Sequence, residues 1–401
     1  GINVFRSIDG GKTFRCKAFW SFSATIPWVH ADIHYIGRNP INNELWIGSD
    51  GGIDYTAEER LPSGAGVDNL FPIINNRNSG LVIAQFYNLG VSQSSLTKFI
   101  TGSQDNGTSA GTNKFDWTAE LGGDGMQCEI SNFDTRVMFG CIQYGDLNRS
   151  INDGGSWNFI ANSINERPGP WITPYHLHPR VDNILVAIYR NIWVSKNSTG
   201  TANPTFSRVT TTAAGEGSAV RFSNVNDNYV FCGWKDGVLR YSSNILAAAP
   251  IFTGLPTPLN TGEITDIETS YLDVNTIYVS KGNRVFKSTN LGANWTNISG
   301  NLPNLSINCI ALDKNVPEAL YVGTDAGVYY KDSSMTSWIL YSEGLTLNAP
   351  VRDLEIVYDG DCSANSKIFA ATYGRGLWLN TVQKTSNPSL TLTSDKGSAI
   401  C

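Results

Sequence analysis

Residues 277–288 read IYVSKGNRVFKS. An aliphatic and aromatic run leads into a glycine and a small polar loop, and a second run of the same kind follows. Short segments rich in β-branched and aromatic residues, interrupted by glycine and small polar residues, are typical of strands joined by a tight turn. The segment therefore predicts a strand, a turn and a second strand.

Seven further segments have the same form. They are LWIGSDGGIDYT (45–56), FITGSQDNGTSA (99–110), MFGCIQYGDLNRS (138–150), LVAIYRNIWVS (185–195), YVFCGWKDGVLRYS (229–242), LYVGTDAGVYYK (320–331) and IFAATYGRGLWLN (368–380). The eight segments end about 46 residues apart on average, which is the length of a four-stranded propeller blade. The repeat predicts an all-β fold, a β-propeller of four-stranded blades. Eight blades are expected, and seven blades or part of a two-lobed propeller are the alternatives.

Composition limits the function classes. Charged residues make up 16% of the 401-residue chain, the net charge is −6, and no run of like charges occurs. A nucleic-acid footprint and a polybasic membrane patch are therefore not indicated. No apolar segment approaches the roughly 18 residues of a membrane helix, so membrane insertion is not expected, and no signal peptide is visible. Because the chain begins inside an apparent strand, we expect a mature or truncated fragment of a longer protein.

The seven cysteines show neither a CxxC pair nor the spacing of a zinc finger. This excludes a zinc module, and no cofactor is predicted. The internal cysteines are expected to be small apolar core residues, because free cysteine is readily buried.

A second motif, S-x-[DN]-x-G-x-[TSN]-[WF], occurs three times. Its copies are Ser7, Asp9, Gly11 and Phe14; Ser150, Asn152, Gly154 and Trp157; and Ser288, Asn290, Gly292 and Trp295. Ser195 and Asn197 begin a lengthened copy. In each box the Asp or Asn accepts backbone hydrogen bonds, the glycine supplies a positive φ, and the aromatic packs the turn on its blade. We interpret the boxes as stabilising turns rather than calcium sites.

These boxes resemble those of the Asp-box, or BNR, propellers, which include sialidases, sortilin (VPS10) type receptors and family 74 xyloglucan hydrolases. The order of VHADIHYI, ELWIGSDGGI, AQFYNLGVS, GSQDNGTSAG, PWITPYHLHP, GTDAGVYY and AATYGRGLW is similar to large secreted sortilin/glycosidase-like propellers of environmental bacteria, especially Bacteroidetes. The resemblance implies a propeller over residues 1–382. It also implies that residues 383–401 form a linker or the start of an Ig-like or PKD-like module, in a secreted or cell-surface protein with a C-terminal secretion signal.

The stretch WVHADIHYI places His30, Asp32 and His34 at alternate positions in a chain with four histidines. If the stretch is an inner strand, all three side chains share one face. A structural network of histidines and a carboxylate is the favoured interpretation. A metal site and a catalytic or ligand-binding cluster stay open. His176 and His178 form a second alternating pair, for which a turn is favoured over a site.

Glycoside hydrolysis is the enzymatic alternative, and it requires two carboxylates about 5–10 Å apart. The candidates are Asp32, Asp50, Asp105 and Asp124, although SDGG, QDNG and GDG are also sequences of tight turns. Six aromatic residues are candidates for stacking on sugar rings or another ligand: Trp28, Trp117, Tyr144, Trp171, Trp193 and Trp234.

The competing class is a binding or adhesion propeller on the outside of a cell. Propellers present variable loops on a rigid body, which suits recognition of a polysaccharide or a surface protein. The longer connections at 58–78, 197–204 and 247–259 contain little ionisable chemistry. The sequence therefore favours a binding module of a larger secreted protein over a hydrolase.

Overall fold

The computed structural model describes residues 1–21, 23, 25–57, 72–112, 116–209, 215–256, 262–346, 348–359 and 366–383. The predicted linker at 383–401 therefore lies almost entirely outside the described residues. The chain divides into two compact units, Gly1–Ile83 and Ala84–Cys401. No helix within the described ranges is long and apolar enough to span a membrane.

The unit Gly1–Ile83 contains a two-stranded and a four-stranded antiparallel sheet. The first sheet is β1 (Val4–Arg6) and β2 (Arg15–Ala18); the second is β3 (Ile33–Arg38), β4 (Leu45–Ser49), β5 (Gly52–Thr56) and β6 (Asn75–Asn76). Its small core consists of Val4, Ala18, Val29 and Ile47. The repeat at 45–56 corresponds to the hairpin of β4 and β5, as its pattern predicts.

In the unit Ala84–Cys401 the described strands form seven antiparallel sheets. The first three are β7 (Phe86–Val91), β8 (Phe99–Ser103), β9 (Gly107–Gly111) and β10 (Trp117–Leu121); β11 (Gly125–Ile130), β12 (Met138–Ile142), β13 (Asp146–Ser150) and β14 (Asn158–Phe159); and β15 (Tyr175–Leu177), β16 (Leu185–Ile188), β17 (Ile192–Ser195) and β18 (Phe206–Arg208). The fourth and fifth are β19 (Gly217–Phe222), β20 (Val230–Trp234), β21 (Leu239–Ser242) and β22 (Thr253–Leu255); and β23 (Ile264–Thr269), β24 (Ile277–Lys281), β25 (Arg284–Ser288) and β26 (Thr296–Asn297). The last two are β27 (Ile307–Asp313), β28 (Ala319–Thr324), β29 (Gly327–Lys331) and β30 (Ile339–Leu340); and the three-stranded β31 (Val351–Val357), β32 (Lys367–Thr372) and β33 (Leu377–Thr381).

The seven sheets of this unit close into a ring. The first strand of each sheet contacts the first strand of the next, and β31 contacts β7. A separate buried apolar cluster fills the space between each consecutive pair of sheets, including the last and the first. Radial sheets that meet along their first strands are the geometry of a β-propeller. The expected eight blades are not confirmed, because the first of the eight repeats lies in the unit Gly1–Ile83.

We call the first strand of each sheet in the ring its inner strand. Most inner strands begin with a bulge, and side chains from the neighbouring sheet form hydrogen bonds with the backbone beside the bulge. The register shifts near the start of six of the seven inner strands described in Ala84–Cys401. The Asp353 carboxylate accepts the Leu89 amide at 2.9 Å, and the Asp266 carboxylate accepts the Ile310 amide at 2.7 Å. A buried amide without a hydrogen-bond partner is energetically unfavourable. By accepting these amides, the two carboxylates stabilise the contact between neighbouring sheets.

The three boxes form hydrogen-bonded turns. In each, the serine hydroxyl accepts the amide of the residue four positions later, at 2.8–2.9 Å. The Asp or Asn oxygen accepts the amide four residues beyond it, at 2.9 Å. Phe14 differs from expectation, because it is 63% exposed rather than packed.

Two lengthened turns occur at the same place in their sheets. One begins at Ser195 and Asn197, as expected. The other begins at Ser242 and Asn244, whose hydroxyl and amide oxygens bond in the same way. The sequence motif missed this copy, because its glycine and aromatic positions are replaced by an insertion.

Cys128, Cys141, Cys232 and Cys309 are buried free thiols, as predicted for the internal cysteines. Cys16 is a partly buried free thiol, whereas Cys362 and Cys401 lie outside the described residues.

Candidate functional site

A cavity of about 770 Å³ runs between the inner strands of the unit Ala84–Cys401. Because alternate residues of a strand point to opposite faces, one set of inner-strand side chains packs between sheets and the other faces the cavity. The lining therefore includes Glu129 of β11, His176 of β15, Arg221 of β19, Glu268 of β23 and Glu355 of β31.

Two pairs of polar side chains connect neighbouring inner strands. The His176 Nδ1 and a Glu129 oxygen lie 2.6 Å apart, and the other Glu129 oxygen accepts the Leu177 amide at 2.7 Å. The Arg221 guanidinium donates to the buried carboxylate of Glu268. These pairs offset part of the cost of placing charges in the propeller interior.

Burial is the main cause of the raised pKa values of three further carboxyl groups. It raises the pKa of Asp266 to about 7 and that of Asp353 to about 6, although backbone amide hydrogen bonds oppose both shifts. Burial, and then the neighbouring Asp353 charge, raise the pKa of Glu355 well above its ordinary value. The inner wall thus holds more acidic groups than its basic groups neutralise.

Aromatic residues border one end of the cavity and form a connected set. The Trp171 indole donates to the Tyr87 hydroxyl at 3.3 Å, and this hydroxyl donates to Gln104 Oε1 at 2.7 Å. The Tyr373 hydroxyl donates to the same oxygen. Tyr144 contacts Trp171 edge to face, with 5.1 Å between ring centroids. We name Tyr87, Gln104, Tyr144, Trp171 and Tyr373 the aromatic arc.

The arc combines rigid polar edges with accessible rings. Burial and the Tyr87 hydroxyl raise the pKa of Tyr373 to about 12, so its phenol stays protonated at neutral pH and remains a donor. Tyr144 is 48% exposed and has φ 64°, an uncommon conformation for a bulky residue. Its amide donates to the Trp171 carbonyl at 3.3 Å, and its carbonyl accepts the Gly169 amide at 2.7 Å. The turn therefore holds the ring outward.

Polar groups extend the arc at both ends. Beside Tyr144, a groove is lined by Asp146, Arg167 and Pro168, and the Arg167 Nε donates to Asp146 at 2.9 Å. At the other end, the Arg352 guanidinium lies 5.4 Å from the Tyr373 ring centroid.

The predicted aromatic ligand-binding residues have different environments. Tyr144 and Trp171 belong to the arc, whereas Trp117, at the outer strand β10, stacks on Phe86 and makes a tilted contact with Phe99. Trp28 is 52% exposed in the unit Gly1–Ile83.

The structure contradicts the predicted ligand-binding role of two of these residues. Trp193 is buried and donates to Glu166, and Trp234 is buried and donates to the Arg190 carbonyl. Their ring faces pack between sheets, so they are not available to stack on a ligand.

The four candidate catalytic aspartates are divided between the two units, with Asp32 and Asp50 in Gly1–Ile83 and Asp105 and Asp124 in Ala84–Cys401. Asp124 accepts the Asp105 amide at 2.8 Å, and Asp105 has φ 59°, so this pair shapes a hairpin turn. In the unit Gly1–Ile83, carboxylate oxygens of Asp32 and Asp50 lie within 4.8 Å of one another. Asp50 also pairs with His34, at 2.7 Å.

The alternation expected for His30, Asp32 and His34 is broken. Asp32 has φ 56°, and β3 begins only at Ile33. His30 bonds to the Ala31 carbonyl, and exposed His34 bonds to Asp50. Within the described part of the chain, these three residues do not bring their ligand atoms within 4.8 Å of one another. The arrangement does not form the predicted three-residue metal set.

His178 holds a turn, as favoured from the sequence. Its Nδ1 accepts the Arg180 and Val181 amides at 3.1 and 3.0 Å, and its Nε2 donates to the Asp227 carbonyl at 2.9 Å. Burial lowers the pKa of His178, so the neutral ring is favoured. His176 instead faces the cavity.

The sequence interpretation missed Tyr87, Gln104 and Tyr373 of the arc, and Glu129, Glu268 and Glu355 of the inner wall. The available signal was polar residues at alternate positions of the inner strands, as in GMQCEI and VRDLEIV. Bulges shift this alternation, and the inner strands lack the glycine turns that reveal the repeat.

No family model matches the sequence, and no curated protein sequence matches it. Solved structures do match the fold. The crystal structure of an ancestral GH74 enzyme has a TM-score of 0.61 and 13% identity over 80% of this chain and 46% of that chain. Saccharomyces cerevisiae Sqt1 has a TM-score of 0.54 and 10% identity, over 76% of this chain and 97% of that chain. YCF48 from Cyanidioschyzon merolae has a TM-score of 0.54 and 12% identity, over 75% and 96%.

The chain spans about half the length of the GH74 enzyme that it resembles. At these identities the similarity shows the all-β propeller fold alone.

Proposed function

We propose that this protein is a glycan-binding propeller, a module of a larger secreted or cell-surface protein, and that the aromatic arc is its polysaccharide site. The observation that carries the proposal is the connected set of partly exposed rings at the cavity mouth. Aromatic faces pack against apolar sugar faces, while phenol, carboxamide and guanidinium groups can bond to hydroxyls.

The same geometry favours binding over hydrolysis. A glycosidase needs one carboxyl group as acid and a second as base or nucleophile beside the bound sugar. Of the two candidates in the propeller ring, the Asp124 carboxylate accepts the Asp105 amide and so holds a turn. The resemblance to a GH74 enzyme extends to the fold, which hosts many unrelated functions.

The proposal is tested by binding and turnover measurements on one panel of soluble polysaccharides, including xyloglucan and other β-glucans. Affinity electrophoresis compares the wild type with Tyr144→Asn and Trp171→Ala. Asparagine tolerates the positive φ of residue 144, so this change removes the ring and keeps the turn. We expect about tenfold weaker binding in either variant, a loss of about 1.4 kcal/mol.

Phe14→Ala is the matched control. Phe14 is a 63% exposed aromatic residue of the unit Gly1–Ile83 and lines neither the cavity nor the groove beside Tyr144. It should bind like the wild type. The arc would be rejected as the site if no polysaccharide retarded the wild type. It would also be rejected if the arc variants were retarded as strongly as the wild type. Release of reducing ends would instead support the hydrolase alternative.

A further inference from the structure

The inner wall of the cavity carries an excess of acidic side chains that its own bases do not neutralise. The inner-strand carboxyl groups that line the cavity are Glu129, Asp266, Glu268, Asp353 and Glu355, and the basic groups of these strands that line it are His176, Arg221 and Arg352. The lysines and arginines of the cavity ends are engaged elsewhere. Arg180 pairs with Asp227, Lys235 pairs with Glu216, and Lys314 lies over the Tyr358 ring.

Glu355 is the carboxyl group that the fold does not use. Glu129 bonds to His176 and Glu268 bonds to Arg221, while Asp266 and Asp353 accept backbone amides. Within the described residues, Glu355 has no hydrogen-bond partner. The raised pKa of Glu355, caused by burial and by the neighbouring Asp353, agrees with a site that lacks a cation.

Further hydrogen-bonding groups in the same wall are also unsatisfied. Among the described residues, the buried Arg221 Nε and Ser218 Oγ have no partner, and both residues line the cavity. Buried polar groups are normally bonded to protein, water or ligand. The unused carboxylate, together with the polar edges of the aromatic arc, matches a ligand with both an ammonium group and hydroxyl groups.

A metal ion fits the wall less well. No three acidic or histidine groups of this wall, as far as the structure describes it, have ligand atoms within 4.8 Å of one another. Calcium binds six to eight oxygens at 2.3–2.6 Å, so it needs a more compact set. A volume of about 770 Å³ lies in the range of small organic ligand sites.

We propose that the cavity recognises an amino sugar with a free ammonium group, and that Glu355 accepts a hydrogen bond from this group. The inference rests on the proposed glycan site, because Tyr87 and Trp171 belong to the aromatic arc and also line the cavity. A sugar stacked on the arc can extend one unit toward Glu355. The ammonium group then meets the unused carboxylate.

The test compares three oligosaccharides that share the β-1,4-linked glucose skeleton: a glucosamine trimer, an N-acetylglucosamine trimer and a glucose trimer. Their dissociation constants are measured by calorimetry with the full chain at low salt and pH 6.5. We expect the wild type to bind the glucosamine trimer at least about tenfold more tightly than either neutral trimer. Glu355→Gln should remove this preference and leave the neutral trimers unaffected.

Control variants test whether the preference depends on Glu355 itself rather than on overall charge or on loss of the fold. Glu343→Gln, at an exposed position, should keep the preference. Glu355→Gln keeps the side-chain shape, and its unfolding midpoint reports whether the fold is intact. If this variant does not fold, Glu129→Gln provides a second change in the wall, and the comparison of trimers in the wild type still tests the preference.

The outcomes distinguish the two proposals. Equal affinity for the three trimers in the wild type, or a preference that survives in folded Glu355→Gln, would overturn the amino-sugar inference. If neutral trimers then bind and depend on Tyr144, the proposed glycan site still stands. A glucosamine preference that depends on Glu355 but not on Tyr144 or Trp171 would keep the cavity site and reject the arc.

Discussion

Arg149 shows how a single buried charge can hold two sheets together. Its side chain is buried, and its guanidinium donates to the carbonyls of Ser198 at 2.6 Å and Ala202 at 3.1 Å, in the lengthened turn of the next sheet. Burial lowers the pKa of Arg149, and no carboxylate forms an ion pair with it among the described residues. The arginine therefore acts as a donor to backbone rather than as half of a salt bridge.

We expect Arg149→Met to lower the free energy of unfolding by about 1–3 kcal/mol, because the carbonyl of buried Ser198 and the carbonyl of Ala202 lose their donor. Arg136→Met is the matched control. Arg136 is exposed and pairs with Asp134 at the surface, where ion pairs contribute about 0–1 kcal/mol. Chemical unfolding followed by tryptophan fluorescence measures both. Equal effects of the two changes would contradict the backbone role of Arg149.

His178 predicts a pH dependence of stability. Its pKa is lowered by burial, so between that value and the unfolded value of about 6.5 the unfolded chain binds the proton more readily. The contribution of His178 to stability is therefore present above about pH 6.5 and declines as the pH falls below it.

We expect His178→Asn to lose less stability than the wild type between pH 8 and pH 5. Asparagine does not titrate and can still accept an amide hydrogen bond. Urea unfolding at the two pH values gives the comparison, and His34→Asn at an exposed position is the control. An unchanged pH dependence in His178→Asn would show that the buried ring does not resist protonation.

At the scale of the element, Ser288 stabilises the turn between β25 and β26. Ser288 is buried, accepts the Gly292 amide at 2.8 Å and donates to Asn290 at 2.9 Å. We expect Ser288→Ala to lower the free energy of unfolding by about 1–3 kcal/mol, since it leaves a buried amide without its acceptor. Ser333→Ala, at an exposed turn position, should change it by less than about 0.5 kcal/mol. Equal unfolding midpoints for both variants would remove the serine from the stability of the turn.

The hairpins are the part of the fold that the sequence predicts best. Residues 277–288 form β24 and β25 because glycine and asparagine mark the turn and both flanking runs suit buried strands. The inner strands are harder to predict. A bulge between Ile264 and Asp266 changes which residues face the cavity. No residue type in the sequence indicates where such a bulge occurs. Of the arc, only Tyr144 and Trp171 were predicted, because the other members converge through the closure of the ring.

At the scale of the whole molecule, the ring closes without strands from residues before Ala84. Asp353 accepts the Leu89 amide, Gln93 donates to the Ile356 carbonyl at 3.2 Å, and Gly374 donates to the Ala84 carbonyl at 3.0 Å. A buried apolar cluster joins the same two sheets, with Phe86, Phe99 and Phe369 among its members. The equal spacing of the eight repeats could not reveal that the ring closes without the first repeat, because that repeat has the same hairpin pattern as the other seven.

A chain that starts at Ala84 should therefore fold on its own. We expect it to show the far-ultraviolet β spectrum and one cooperative unfolding transition, because every contact between consecutive sheets of the ring, including last to first, lies within it. A chain that starts at Asp116 removes β7, β8 and β9 and opens the ring at Leu89, so it should lose the cooperative transition. Calorimetry of both chains provides the measurement. If the Ala84 chain aggregated or unfolded gradually like the Asp116 chain, the ring would depend on the first 83 residues, and the predicted single domain over 1–382 would be the better description.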